Sequence, residues 1–405
     1  MKLLHTADWH LGKRLMDFSR IEEQRQVLDE LIEIAQKEQV DVVLVAGDLF
    51  DQINPSNEAI ELFYQALHRL SNQGQTAVIV IAGNHDAPDR IEAPHPLAKE
   101  CGIFLAGRPD SKIPLVKLES GLQIKRSSPG FIEINCPGVS FPLRLILTPY
   151  ANEVTFRRYL GKKDQEAVLR KLLKSQWQTL AEKYCDDLGV NILMSHLYFM
   201  QQDGPKPEEP EDEKPILHMG GAQAIYTEAI PDQIQYTALG HLHQYQTVSS
   251  KSSPVIYSGS PLAYSFAEAD QQKYVIIIEA EPGKRVETKE VPLSSGKRLY
   301  QKKFKDTERA LAWLANHQEA YVELTLISDS FIEAATKRKL YQAHSGIIGI
   351  IPELTGDREA SSSTKKIDLA QDRKTLFQDY FESRKGQRPP KELMDLLSEI
   401  IDTGP

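Results

Sequence analysis

Two uninterrupted apolar runs, Asp41–Ala46 (DVVLVA) and Ala77–Ala82 (AVIVIA), constrain this chain more than any other feature. Neither alternates apolar with polar residues, so each reads as a strand covered on both faces, as in a parallel sheet packed between two other layers. Each run ends on glycine and a short polar cluster, Gly47-Asp48 after the first and Gly83-Asn84-His85-Asp86 after the second. A shorter strand, Lys2–Thr6, leads in the same way to Asp8-x-His10. Between the strands the periodicity is helical. Leu28, Leu31, Ile32 and Ala35 share one helical face, preceded by Ser19 and Glu22 at capping-box spacing, and a second helix runs roughly from Pro55 to Ser71. Strand–helix–strand repetition builds a parallel layer with right-handed crossovers, whose ligand crevice lies at the carboxyl ends of the strands. All three polar clusters fall at that edge.

Further along, Leu115 to Thr148 breaks into short strands separated by Gly, Pro and Ser, which predicts a second, more antiparallel sheet. A charged helix around Lys162–Lys183 leads to the strand Val190–Met194, which ends at Ser195-His196. The run Tyr236–Leu239 ends at Gly240-His241-x-His243. Strands at Val255–Ser258, Tyr274–Glu279 and Val286–Val291 are expected to close this second sheet. The expected class is therefore α/β, a two-layer β-sandwich flanked by helices. Leu299–Leu354 reads as strand, helix, strand, helix, strand, a small α+β unit. Thr355–Ala370 is polar and Ser-rich, as a linker would be. Two amphipathic helices are expected in the tail, around Lys374–Ser383 and Lys391–Ile401. Leu376, Phe377, Tyr380 and Phe381 stripe the first; Leu393, Leu396, Leu397, Ile400 and Ile401 stripe the second. The expected domains are 1–294, an α+β cap over 295–354, a linker over 355–370 and C-terminal helices over 371–405.

A chain of 405 residues exceeds one simple core. Cys101, Cys136 and Cys185 form no C-x-x-C pair, which argues against a disulfide framework or a zinc–thiolate site and points to a reducing compartment. No stretch approaches the ~18 apolar residues of a membrane span, and Asp8 and His10 stand where a signal peptide would need its apolar core. A cytoplasmic protein with no membrane association is the expectation. The net charge of −9 counts against nucleic acid, but part of it sits in the polar segment Pro205–Lys214, and phosphate binding is a local matter.

The polar clusters supply carboxylate, carboxamide and imidazole donors. A lone histidine at a strand end most often hydrogen-bonds locally, and His5, His68, His95 and His218 are left unassigned on that ground. The ordered set Asp8, His10, Asp48, Asn84, His196, His241 and His243 instead points to a dinuclear metal site. Phosphoester hydrolysis suits two divalent ions about 3.5–4 Å apart that share one carboxylate, and Asp48 is the natural bridge. Asp8 and His10, two residues apart, can both turn into one pocket only where the strand has stopped alternating. Trp9-x-x-Gly12 is compatible with such a loop.

The strings His5-Thr-Ala-Asp-Trp-His-Leu-Gly12, Ala46-Gly-Asp-Leu-Phe-Asp51, Ala82-Gly-Asn-His-Asp86, Ala238-Leu-Gly-His-Leu-His243 and Tyr257-Ser-Gly-Ser-Pro261 with Ser265-Phe266 carry a resemblance. They resemble the calcineurin-type metallophosphoesterase superfamily and, within it, the SbcD family of bacterial nuclease subunits. The likeness covers about the first 280 residues well and the last third only in architecture. It implies one metal held by Asp8, His10, Asp48 and His243 and another by Asp48, Asn84, His196 and His241, with Mn²⁺ favoured. His85 is implied as the catalytic residue, free of metal and assisting the departing sugar oxygen. Asp51 and Asp86 are expected to back the ligands or to be structural, not to be catalytic. The implied substrate is DNA, cut as a duplex 3′–5′ exonuclease and as a single-strand or hairpin endonuclease in end processing, repair and recombination. Candidate phosphate contacts are Lys13, Arg14, Arg90, Arg157, Arg158, Lys162 and Lys163. The implied partners are an SbcC-type ATPase, docked by the tail helices, and a second copy of the chain. That homodimer, within a heterotetramer, would use the helix bearing Leu62, Phe63 and Leu67. Two rival readings are a phosphoesterase for nucleotides or phosphoproteins, and a scaffold that binds DNA ends without cutting.

Overall fold

The computed structural model describes residues 1–152, 165–202, 204–207, 224–249, 253–328, 332–354 and 373–385, with 389, 393, 394 and 397 beyond them. Arg157, Arg158, Lys162, Lys163, His218, the expected linker and Leu396, Ile400 and Ile401 of the second tail helix lie outside the described residues.

Two sheets stack face to face. Across the first, the order is Glu287–Pro292, Tyr274–Glu279, Lys2–Thr6, Val42–Ala46, Ala77–Ile81 and Ile103–Ala106. The last four are mutually parallel; Tyr274–Glu279 is antiparallel to both of its neighbours. Across the second the order is Gln246–Ser249, Val255–Tyr257, Tyr236–Leu239, Val190–Ser195, Leu143–Thr148, Phe131–Asn135, Gln123–Ser128 and Val116–Lys117. Its centre is parallel and its two flanks are antiparallel, so this sheet is mixed.

The uniform apolar runs follow from this stacking. Val43, Val45, Val78 and Val80 face outward onto the helices Ile21–Glu38 and Asn57–Leu70, where they meet Leu28, Leu31, Ile32, Phe63 and Leu67. Val42, Leu44, Ala46, Ile79 and Ile81 face inward against Leu145, Leu147, Ile192, Met194 and Ala238 of the other sheet. On the far side, Leu193, Leu239 and Tyr257 pack on Leu169, Leu173 and Trp177 of the helix Gln165–Tyr184. The layers therefore run helix, sheet, sheet, helix.

Several expectations need correction. Tyr274–Glu279 and Glu287–Pro292 extend the first sheet, not the second. Tyr274–Glu279 can do so because Val275 and Ile277 enter the helix-side core while Ile276 and Ile278 enter the inter-sheet core. Ser19 caps no helix: it lies in a short hairpin strand, and Arg20 occupies the N-cap with no side-chain cap bond. Leu62, Phe63 and Leu67 are buried in the chain's own core, so they offer no surface to a second copy.

After the sandwich come Arg298–Phe304, helix Thr307–Ala315, Ala320–Ser328, helix Ala334–Ala343 and Ile347–Leu354, the element order read from the sequence. The three strands form one sheet in chain order. Leu299 and Tyr321 of this layer pack on Leu15 beside the first sheet. Packing divides the chain into one unit of 1–326 with 334–351 and another of 327–333 with 352–405. The second unit contains the helix Arg373–Lys385, in which the Phe377 and Phe381 rings lie 6.0 Å apart and Tyr380 is exposed.

Candidate metal centre

At the carboxyl end of Lys2–Thr6 the backbone leaves the strand through two left-handed residues, Asp8 at φ 53° and His10 at φ 43°. This is how side chains two apart both turn into one pocket. Gln24 on the following helix holds the loop open by donating to the His10 carbonyl (3.0 Å) and accepting from Gly12 N (2.9 Å). Asp48 (φ 47°) and His241 (φ 104°) are also left-handed. Such conformations cost about 1–3 kcal/mol each and persist only where the surroundings impose them. Here they cluster on residues whose side chains converge.

The closeness of the two sheets explains the glycines. A Cβ on Gly240 would fall 1.9 Å from the Ala46 carbonyl, and one on Gly83 would fall 2.1 Å from Asp48 Oδ1. Only glycine lets these loops approach the neighbouring backbone closely enough for the donors to meet.

All seven expected donors are brought together. Asp8, His10 and His243 place ligand atoms within 4.8 Å of one another, and Asp48, His196 and His241 do the same. Asp48 Oδ2 lies 3.6 Å from His10 Nε2 and 3.3 Å from His196 Nε2, so one carboxylate oxygen faces both groups. Asn84 Oδ1 lies 3.1 Å from His196 Nε2 and 2.9 Å from His241 Nδ1. His85 stands beside them, its ring centroid 4.9 Å from that of His10. His85 Nδ1 donates to the Asp51 carbonyl at 2.9 Å, and its Nε2 makes no hydrogen bond among the described residues. A third grouping, His10, Asp51 and His85, shares two of these residues, but Asp51 Oδ1 is already taken by Lys13 Nζ at 3.0 Å.

The charges in this pocket are strongly displaced. Burial pushes the Asp8 carboxyl up to about 7 against the pull of His196 and His243. Burial also opposes ionisation of Asp48, yet His196 and His85 hold it well below the usual carboxylate range. For His196 burial disfavours the cation, but Asp48 and Asp8 outweigh it and raise the ring to about 9. Burial, with His196 adjacent, drives His241 down to about 3, and burial depresses His10 well below the ordinary histidine value. His196 Nδ1 is 2.7 Å from the Ala46 carbonyl and must donate to it, so Nε2 turns its lone pair toward two oxygens. That arrangement demands a shared positive charge, either a proton or a cation. Buried His10 Nδ1 has no hydrogen-bond partner among the described residues. Mixed oxygen and imidazole donors without thiolate fit divalent first-row metals, so the residues present fit the expected pair of ions.

The other expected residues divide clearly. Asp86 is structural: its carboxylate accepts from Gly83 N (2.8 Å), Leu49 N and Phe50 N (both 3.1 Å), tying the second and third clusters together. His5 is a core residue, accepting from Tyr236 OH and donating to the Leu239 carbonyl, with its ring driven down to about 3 by burial. Of the candidate phosphate contacts, Lys13 lies at the site on Asp51, Arg14 bonds the Asp17 carbonyl, and Arg90 bonds Asn54 on the surface. Sequence reasoning missed Gln24, Glu268 and Lys273. Glu268 follows the quoted Ser265-Phe266 by two residues, but a lone Glu in a polar stretch gives no periodicity to read.

Residues 1–245 match the family model for calcineurin-like phosphoesterases. The SbcD subunit of the nuclease SbcCD from Bacillus subtilis (strain 168) is 36% identical over 411 residues, covering 99% of this chain and 97% of the relative. Two solved structures align over most of the chain. A protein of Thermus thermophilus covers 71% of this chain and 98% of its own at 11% identity, TM-score 0.35. A dimetal phosphatase from Danio rerio covers 73% and 99% at 12% identity, TM-score 0.38. With a family match beyond half its length and a relative aligned almost end to end, the chain belongs to the calcineurin-like phosphoesterase family, on the branch that holds the SbcD nuclease subunit.

Proposed function

We propose that this chain is the nuclease subunit of an SbcCD-type complex, a Mn²⁺-dependent phosphodiesterase that cuts DNA. The observation that carries the reading is the single oxygen Asp48 Oδ2, placed between donors of two separate groups. Asp8, His10, Asp48 and His243 would hold one ion; Asp48, Asn84, His196 and His241 would hold the other. Bound there, two divalent ions supply Lewis acidity at the phosphoryl oxygens and a nucleophile at neutral pH.

The chain's own groups do the rest. His85, outside both donor groups, has its Nδ1 proton committed to the Asp51 carbonyl. A proton on its Nε2 is therefore the one delivered to the departing sugar oxygen. Lys13, paired with Asp51, adds positive charge beside that path and draws phosphate toward it. Manganese is what the family resemblance implies, and the mixture of oxygen and imidazole donors suits it as it would iron or zinc.

The relative's name supports the substrate class and the partner. DNA is the substrate, cut 3′–5′ from duplex ends and internally in hairpins or single strands, and an SbcC-type ATPase is the partner. Residues 1–294 form the nuclease domain, 295–354 the cap, 355–370 a linker, and 371–405 the docking segment for the ATPase. A homodimer within a heterotetramer is retained in this reading, but its contact must come from surface residues such as Glu58, Glu61 and Gln65, since the apolar face of that helix is internal. No described helix is long and apolar enough to cross a membrane; a cytoplasmic site of action is part of this proposal.

The test is incubation of the purified protein with Mn²⁺ and end-labelled duplex or hairpin DNA, with and without SbcC and ATP. Metal-dependent cleavage supports the reading. Turnover of a generic phosphodiester but never DNA would point to a nucleotide or phosphoprotein hydrolase. Tight binding with no cleavage under any metal would point to a DNA-end scaffold.

A further inference from the structure

We infer that Glu268, held in place by Lys273, is the positioning residue for His243, setting which ring nitrogen His243 turns toward Asp8 and His10. This rests on the dinuclear reading above. Neither residue lies on a strand that delivers a donor. Glu268 ends the short turn Phe266–Glu268, and Lys273 immediately precedes the strand Tyr274–Glu279. Both are buried, at 1% and 7% exposure. Taking an ammonium and a carboxylate out of water costs several kcal/mol, and an apolar pair would fill the same space at less cost. What the pair touches therefore matters more than the volume it occupies.

What it touches is His243. Lys273 Nζ donates to Glu268 Oε2, to the His243 carbonyl at 2.9 Å and to Ser260 Oγ at 3.0 Å. Ser260 N also donates to the His243 carbonyl, at 3.0 Å, so the backbone of this residue is clamped by two donors. The other oxygen, Glu268 Oε1, accepts from Tyr264 N at 3.1 Å and lies 3.5 Å from His243 Nδ1. A carboxylate paired with an ammonium can only accept, so the proton of His243 belongs on Nδ1 and the lone pair on Nε2. Nε2 is the atom that meets His10, 2.9 Å away. Tyr264, held by the same carboxylate, packs its ring at 5.6 Å from His10 and 6.0 Å from His243. The dyad thus reaches one donor group, Asp8–His10–His243, and leaves the group around Asn84, His196 and His241 untouched. A carboxylate behind an imidazole ligand orients it, and losing such a partner typically costs about 10–100-fold in metal affinity.

The experiment is calorimetric Mn²⁺ titration of the wild type, Glu268→Asp, and Glu268→Gln combined with Lys273→Met, with the Co²⁺ absorption spectrum as a second readout. Glu268→Asp keeps the buried ion pair but withdraws the carboxylate by one methylene, and the double variant removes the pair without leaving a buried charge. The wild type should take up two ions. In both variants one ion should bind about 10–100-fold more weakly, with the second held as before and a Co²⁺ spectrum altered for one ion only. If the double variant does not fold, Glu268→Asp alone decides. Two wild-type sites with unchanged affinities in the variants, or both sites weakened alike, would overturn the positioning role alone. A wild type that takes up no metal would overturn the dinuclear reading and this inference together.

Discussion

The Nε2 atoms of His10 and His243 lie 2.9 Å apart, although the two residues are 233 positions apart in the chain and come from different sheets. Two imidazole lone pairs cannot face each other at that distance without a proton or a cation between them. A divalent ion satisfies both rings at once, so metal and fold stabilise each other. At a free ion concentration of 100 times Kd, each site should add about 2.7 kcal/mol. Differential scanning fluorimetry should show a Tm several degrees higher with Mn²⁺ than with a chelator. An identical Tm in both conditions would mean that no ion enters between the sheets.

Metal uptake should be coupled to proton release, with a sign fixed by two groups. Asp8 is raised to about 7 and must lose its proton to bind, and His196 is raised to about 9 and must do the same. Both raised groups hold protons that compete with metal, so affinity should fall as pH drops below about 9 and fall more steeply below about 7. His241, at about 3, and the depressed His10 are already neutral and add nothing to this dependence. Near pH 7 roughly one to two protons should be released in total. Calorimetry in two buffers of different ionisation enthalpy measures the number directly, and a value of zero would refute the protonation scheme.

Much of the fold could be read from Val42–Ala46 and Ala77–Ile81, because strands apolar at every position have to be covered on both faces, and both are. The same reasoning misplaced Tyr274–Glu279. An apolar strand has the same composition in either sheet, and only pairing with Lys2–Thr6 decides between them. The convergence of the seven side chains was legible because each follows an apolar run. Their left-handed backbone was not, since Asp and His carry no mark of the φ that tertiary packing imposes on them. Glu268 and Lys273 were invisible for a related reason. Their meaning lies in contacts to Ser260 and His243, not in spacing along the chain.

Gly83→Ala should act on both ions at once. The added Cβ would meet Asp48 Oδ1 at 2.1 Å and Asp48 N at 2.2 Å, and neither the backbone nor a carboxylate held by the His85 N–H has room to retreat. Overpacking of this kind costs about 1–3 kcal/mol, and relief requires the Asp48 loop to move. Elemental analysis after dialysis against Mn²⁺ should find both ions lost or greatly reduced in a protein that still folds. Two retained ions would show that Asp48 is not the shared ligand.

Arg20 should control attachment of the cap. It is 1% exposed, donates through Nε and Nη2 to Glu23, donates through Nη1 to the Ala263 carbonyl, and lies 5.5 Å from the Tyr321 ring of the cap sheet. Glu23 in turn accepts from Lys297 N at 2.8 Å. Arg20→Met would leave Glu23 buried without its partner, at a cost of about 3–5 kcal/mol. Limited proteolysis should then cut near Ser294–Lys297 faster than in the wild type, with metal content preserved. Unchanged cleavage kinetics would place the hold on the cap elsewhere.

His85→Leu separates holding metal from using it. His10, His196, His241 and His243 are buried within the two donor groups, whereas His85 is only partly buried and contributes to those groups a backbone N–H, donated to Asp48 Oδ1 at 2.9 Å. That bond survives substitution, because it involves no side-chain atom, so Asp48 should stay in place and both ions should still bind. What disappears is the imidazole anchored on the Asp51 carbonyl and the proton its Nε2 would deliver. General acid groups typically contribute about 10²–10⁴-fold, so cleavage of labelled duplex DNA should drop by that order at unchanged metal stoichiometry. A leaving group that needs no proton, such as a nitrophenolate ester, should suffer far less. Equal losses on both substrates would reassign His85 from proton delivery to substrate positioning, and cleavage at the normal rate on both would remove it from the chemistry altogether.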